Sequence, residues 1–116
     1  MKYFLYTNIC IYFLKGLYPD IKQRISRQKP ADIKIPSIVY AELLYGIEKS
    51  LQKDKNLKAL KLFIEPLQIV SFNEKSSETY SIIRNETEKS GKNVGGNDLL
   101  IASIVLANKG TLVTNN

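Results

Sequence analysis

Histidine is missing from all 116 residues of this chain, and cysteine occurs once, at Cys10. Without histidine there is no Ser-His or Cys-His nucleophile pair, and no nuclease built on paired histidines. The commonest zinc ligand is gone as well, and one thiolate cannot build a structural zinc site. A lone cysteine excludes a disulfide within the chain, which fits a reducing cytosol. Inside the apolar run ICIYFL, Cys10 reads as a small core residue. No apolar run is long enough to cross a bilayer. Lys2, Thr7 and Asn8 interrupt the N-terminal MKYFLYTNICIYFLKG, and no small-residue cleavage site follows it. The expectation is a soluble, cytoplasmic protein with no membrane partner. Hydrolysis, if the chain performs it, falls to carboxylates and to cations that favour oxygen ligands.

What is present suits one globular domain spanning residues 1–116, because 44% of the chain is apolar and only 24% is charged. Lys and Arg number 17 against 11 Asp and Glu, a formal charge of +6. Such a surface favours polyanions, either nucleic acid or an acidic segment of a protein. Small basic proteins are also common, and net charge says nothing about fold.

Short apolar runs alternate with amphipathic ones. Residues 2–6 (KYFLY), the alternating residues Asp32, Ile33, Lys34 and Ile35 ended by Pro36, residues 67–72 (LQIVSF) and residues 111–113 read as strands. Helices are expected over residues 9–15, stopped by Gly16, and over residues 19–27, broken by Pro30. Thr7 and Asn8 offer cap chemistry for the first. Ser37 is the expected cap of a longer helix whose positions Tyr40, Leu43, Leu44, Ile47 and Leu51 recur at three and four. Further helices read over residues 54–64, with Leu57, Leu60, Leu62 and Phe63 inward, over residues 74–90, ended by Gly91, and over residues 98–108. Strands alternating with helices predict an α/β fold with a parallel sheet, in which ligands gather at the carboxyl ends of strands.

Among the acidic residues, Glu42 in SIVYAELLYG and Asp98 heading DLLIASIVLA stand in the most apolar helices, with no Lys or Arg within four residues. A buried, unpaired carboxylate costs roughly several kcal/mol unless a cation or donors compensate, and a metal ion would supply the missing charge. Each acid has a plainer reading. Asp98 beside Asn97 is favoured by the helix dipole alone, and Glu42 could reach solvent past Tyr45.

The segments MKYFLYTNICIYFLKG, IPSIVYAELLYGIEKS, GKNVGGNDLLIAS and GTLVTNN resemble, in order and spacing, PIN-domain toxins of the VapC type. The resemblance covers almost the whole chain. It implies a PIN-like, Rossmann-like three-layer α/β/α sandwich around a central parallel sheet. It implies an endoribonuclease dependent on Mg²⁺ or Mn²⁺, acting on structured RNA such as transfer RNA. A cognate antitoxin protein and a homodimer are implied as partners. The family's acids fall on Glu42 and Asp98 as catalytic and metal-binding residues, with the fourth position near the amides Asn115 and Asn116. Thr7, Asn8, Thr114 and Asn116 resemble the supporting groups, although helix capping and turn chemistry also account for hydroxyls and amides at such places. Lys15, Lys34, Lys92 and Lys109 are candidate phosphate contacts.

Two departures matter. Where the family has an aspartate before Thr-Asn, this chain has Tyr6. A phenol is neutral near pH 7 and a poor ligand for a hard cation. The family also continues past TNN, so the fold is expected to be C-terminally shortened here. The implied function is therefore a metal-dependent ribonuclease toxin impaired by Tyr6. The alternative is a catalytically inactive PIN-domain binding protein that keeps its antitoxin and dimer contacts.

Overall fold

Three- and four-residue runs of aromatic and aliphatic side chains can form strands only by lying against one another, and here four of them do. The computed structural model describes residues 1–115. Its elements run β1 (Tyr3–Leu5), α1 (Thr7–Lys15), α2 (Pro19–Ser26), a 3-10 turn (Pro30–Asp32), β2 (Ile33–Pro36), α3 (Ser37–Glu48), α4 (Lys53–Ile64), β3 (Gln68–Val70), α5 (Glu74–Lys89), α6 (Gly96–Ala107) and β4 (Thr111–Val113). The strands order as β3-β2-β1-β4, and every neighbouring pair is parallel. Tyr3 lies opposite Ile33 on one side and Thr111 on the other. Parallel neighbours need helical crossovers, supplied among the described residues by the six helices. The result is the α/β architecture expected, a parallel sheet flanked by helices.

The central strands are buried, as parallel strands covered by helices must be. Phe4 and Ile35 have no exposure, and Leu5 and Ile33 almost none. Cys10, Val39, Leu43, Leu60, Ile101 and Ile104 complete the core around them. Gly16 closes α1 in the left-handed conformation, φ 68°, donating its N–H to the Phe13 carbonyl. Asn73 caps α5 by accepting from the Ser76 N–H at 3.0 Å.

Several local expectations are corrected. Thr7 and Asn8 do not precede α1 as caps; they form its first turn, and extended Tyr6 takes the cap position without a side-chain capping bond. Pro36 takes the corresponding position before α3, so Ser37 lies inside the helix, and its Oγ accepts instead from the Phe72 N–H at 3.2 Å. Leu62 points outward, 63% exposed, because Leu60 occupies the inner face of α4. Helix α3 stops at Glu48, which leaves Leu51 beyond it and fully exposed.

Candidate functional site

Strand order reverses at β1: the chain proceeds through β2 and β3 on one side, then returns with β4 on the other. The carboxyl end of β1 is therefore the switch point at which open α/β sheets take ligands. Tyr6 sits there. Its N–H donates to the Val113 carbonyl at 3.0 Å, and its own carbonyl accepts from the Cys10 N–H at 3.3 Å. Its backbone is thus pinned between β4 and α1, which fixes where the phenol starts.

From that point the phenol reaches α6. Tyr6 Oη donates to Asp98 Oδ1 at 2.5 Å. The next residue reaches a different helix: Thr7 Oγ1 donates to Glu42 Oε1 of α3 at 2.6 Å. Both are short for O–H···O hydrogen bonds. Consecutive residues 6 and 7 therefore gather the two acids singled out in the sequence. Neither acid, however, is the buried, unpaired carboxylate that its apolar helix predicts. Asp98 is exposed and Glu42 only half-buried, so neither carries the desolvation penalty expected of an interior acid. Their compensation is a hydroxyl each, since the salt bridges among the described residues involve neither.

The Tyr6 phenol is pushed up to about 12, first by its hydrogen bond to Asp98, then by partial burial and by the negative charges of Asp98 and Glu42. Burial pushes the Cys10 thiol up to about 12 as well. Both groups hold their protons more tightly in the folded chain than in the unfolded one. Their contribution to stability is intact below pH about 9–10 and is lost as pH rises towards 12. The melting temperature of the wild-type chain is accordingly expected to fall more steeply over pH 10–12 than that of Tyr6→Phe, whose remaining slope reflects Cys10 and the other alkaline groups. Parallel curves for the two proteins would show that the phenol is not held in this way.

The remaining sites are placed as follows. Asn8 Oδ1 is a buried acceptor with no partner among the described residues. Thr114 and Asn115 line an open groove of about 440 Å³ beside β4 with Tyr3, Leu5, Ile9 and Ile25. Neither is hydrogen-bonded to Glu42 or Asp98. Asn116 lies outside the described residues. Lys34 is committed to the Ala31 carbonyl and Gln68. Lys15 lines a second groove, about 320 Å³, that also holds Glu42, Leu14, Leu43, Gly46 and Ile47. That groove had no signature in the sequence, because its walls come from three separate helices.

The divalent ion that the resemblance implies does not fit this donor set as it stands. Magnesium takes an octahedral array of oxygens, mostly waters anchored by one or two carboxylates with lone pairs to give. Asp98 Oδ1 is already an acceptor for Tyr6, Glu42 Oε1 is one for Thr7, and the phenol presents a proton where a lone pair is needed. No cluster of three Asp, Glu or Cys side chains occurs among the described residues.

The PIN domain family pattern matches residues 3–116. Ribonuclease VapC2 of Rickettsia felis is 43% identical over 118 residues, an alignment spanning all of this chain and 87% of that protein. A tRNA(fMet)-specific endonuclease VapC of Salmonella typhimurium is 33% identical over 116 residues, with the same coverage. The fold also matches the VapBC2 complex of Rickettsia felis, solved bound to a DNA fragment from its promoter, with TM-score 0.93 and 41% identity over all of this chain and 88% of that one.

Proposed function

The chain belongs to the PIN-domain family, with VapC ribonucleases as its relatives, and from that premise we propose that it is the toxin component of a toxin–antitoxin pair, an endoribonuclease whose rate in this copy is held far below the family's. The observation that carries the reading is the convergence of Glu42 and Asp98 on consecutive residues 6 and 7 at the sheet's switch point. Two acids from different helices brought to one strand end form the remnant of a site for phosphate-ester hydrolysis.

The substrate is RNA, and a transfer RNA is favoured because two relatives, from Shigella flexneri and Salmonella typhimurium, carry that specificity in their names. The formal charge of +6 supports attraction to RNA in general. The antitoxin partner is inferred from the solved relatives, which are complexes of toxin with antitoxin. A homodimer and Mg²⁺ or Mn²⁺ dependence belong to the same reading. In an intact site Glu42 and Asp98 would hold the ion, with Thr7 orienting Glu42. In this chain the Tyr6 hydroxyl occupies Asp98, which is what holds the rate down.

The Tyr6–Asp98 bond also favours a second reading, a protein that binds antitoxin and no longer cuts. Induced expression separates the two. Growth arrest by the wild-type chain, relieved by Glu42→Gln and by co-expressed antitoxin, supports the ribonuclease. No arrest by either form, together with tight capture of the antitoxin by the purified chain, supports the binding protein. Arrest undiminished in Glu42→Gln would refute the assignment of the site.

A further inference from the structure

We propose that Tyr6 and Thr7 act as a metal-free clasp: their two hydroxyls stand in for a cation, tying α6 and α3 to the end of β1 and excluding a divalent ion from the site. The inference deepens the reading given above and rests on it only for the identity of the site. Tyr6 is in this view a positioning residue with a stabilising role of its own, rather than a mere lesion.

Three observations carry it. The clasp is continuous in the chain, since residues 6 and 7 each donate one O–H to one carboxylate, at 2.5 and 2.6 Å, on two different helices. The partners have no other cation, because the salt bridges among the described residues lie elsewhere. And the phenol cannot easily withdraw. The Tyr6 backbone is bonded on both sides, to Val113 and to Cys10, and its ring packs against the core cluster. A site of three carboxylates needs a cation to offset mutual repulsion. A site of two carboxylates and two donors does not. An arriving ion would compete with the phenol proton for Asp98 and would find two carboxylates at the site rather than three.

The test uses the full chain, without RNA, and MnCl₂ alone as probe. Melting temperature and Mn²⁺ binding, the latter by electron paramagnetic resonance, are measured for wild type, Tyr6→Phe and Tyr6→Asp. The wild-type chain is expected to melt at one temperature in EDTA and in MnCl₂. Tyr6→Phe, which loses the donor and keeps the ring, is expected to melt about 2–5 °C lower, again without response to the ion. Tyr6→Asp is expected to melt lowest in EDTA, to recover in MnCl₂, and to bind Mn²⁺ on the order of 10- to 100-fold more tightly than wild type. Equal Mn²⁺ affinity in wild type and Tyr6→Asp would overturn exclusion, and an unchanged melting temperature in Tyr6→Phe would overturn the stabilising role. If Tyr6→Asp does not fold, Asp98→Asn decides. Saturable Mn²⁺ binding by the wild type that Asp98→Asn abolishes would refute the proposal, and weak binding indifferent to that change would sustain it. None of these readouts requires cleavage, so a failed ribonuclease assignment and a failed clasp remain distinguishable.

Discussion

Replacing Tyr6 with aspartate is expected to raise Mg²⁺-dependent RNA cleavage by on the order of 10²-fold or more over the wild-type chain. Asp98 is in direct contact with the residue-6 side chain, and Glu42 is held by the neighbouring Thr7. The substitution removes the donor that occupies Asp98 and adds a third carboxylate at the strand end, without moving a backbone that is held by Val113 and Cys10. Three acids at one point suffice to attract a hard divalent ion, which would lower the pKa of bound water and offset charge developing on a scissile phosphate. The measurement is single-turnover cleavage of a transfer RNA and of a mixed RNA pool, with MgCl₂ or with EDTA. The gain should vanish in EDTA and in the double variant Tyr6→Asp/Glu42→Gln. A folded Tyr6→Asp protein no faster than wild type would mean that residue 6 is not what limits this site.

The second large effect concerns stability. Phe4 has no exposure, lies on the central strand, and pairs with Lys34 on one side and Leu112 on the other. Phe4→Ala is expected to lose roughly 3–5 kcal/mol, since the two flanking strands cannot collapse onto the void. Against a total of about 5–15 kcal/mol for a domain of this kind, that is a large share. Gly110 is the other half of the same contact. A Cβ there would fall 2.3 Å from Phe4 Cε1 and 3.2 Å from the Lys2 carbonyl oxygen. Gly110→Ala is therefore expected to cost about 1–3 kcal/mol through overpacking. Combined with Phe4→Leu, the two changes should cost less than their sum, because the smaller side chain relieves the clash. Urea midpoints at constant slope measure all four variants, Phe4→Leu alone included. A Gly110→Ala midpoint equal to that of wild type would show that the ring has room to move.

Much of this was legible in one sequence. Gly16 and Gly91 mark the ends of α1 and α5, the strand at Thr111–Val113 is legible with its bounds, and the apolar run around Cys10 points it into the core. Alternation of short apolar runs with amphipathic ones carried the parallel α/β class. What failed was local chemistry whose partner lies far along the chain. Thr7 and Ser37 have the composition of caps, but a hydroxyl goes to whichever acceptor or donor folding brings nearest. For Thr7 that is Glu42, and for Ser37 the Phe72 N–H. Periodicity also assigned Leu62 to the core, although Leu60 already filled the inner face of α4. The acids Glu42 and Asp98 stood out because their helices are apolar. Their real environment, one half-buried and one exposed, could not be read from neighbours in sequence. Nor could the bond between residues 6 and 98, which needs the sheet to exist first.

The placement of β1 between β2 and β4 has a consequence for how the protein comes into being on the ribosome. The N-terminal strand is the first to be synthesised and the last to be completed on both edges, because its second neighbour, Thr111–Val113, is encoded more than 100 residues later. Contacts so distant in sequence slow folding and leave the early chain without its native pairing. The acids and hydroxyls around Tyr6 come together only once α6 has emerged, so a nascent chain carries the parts of this site long before it possesses the site.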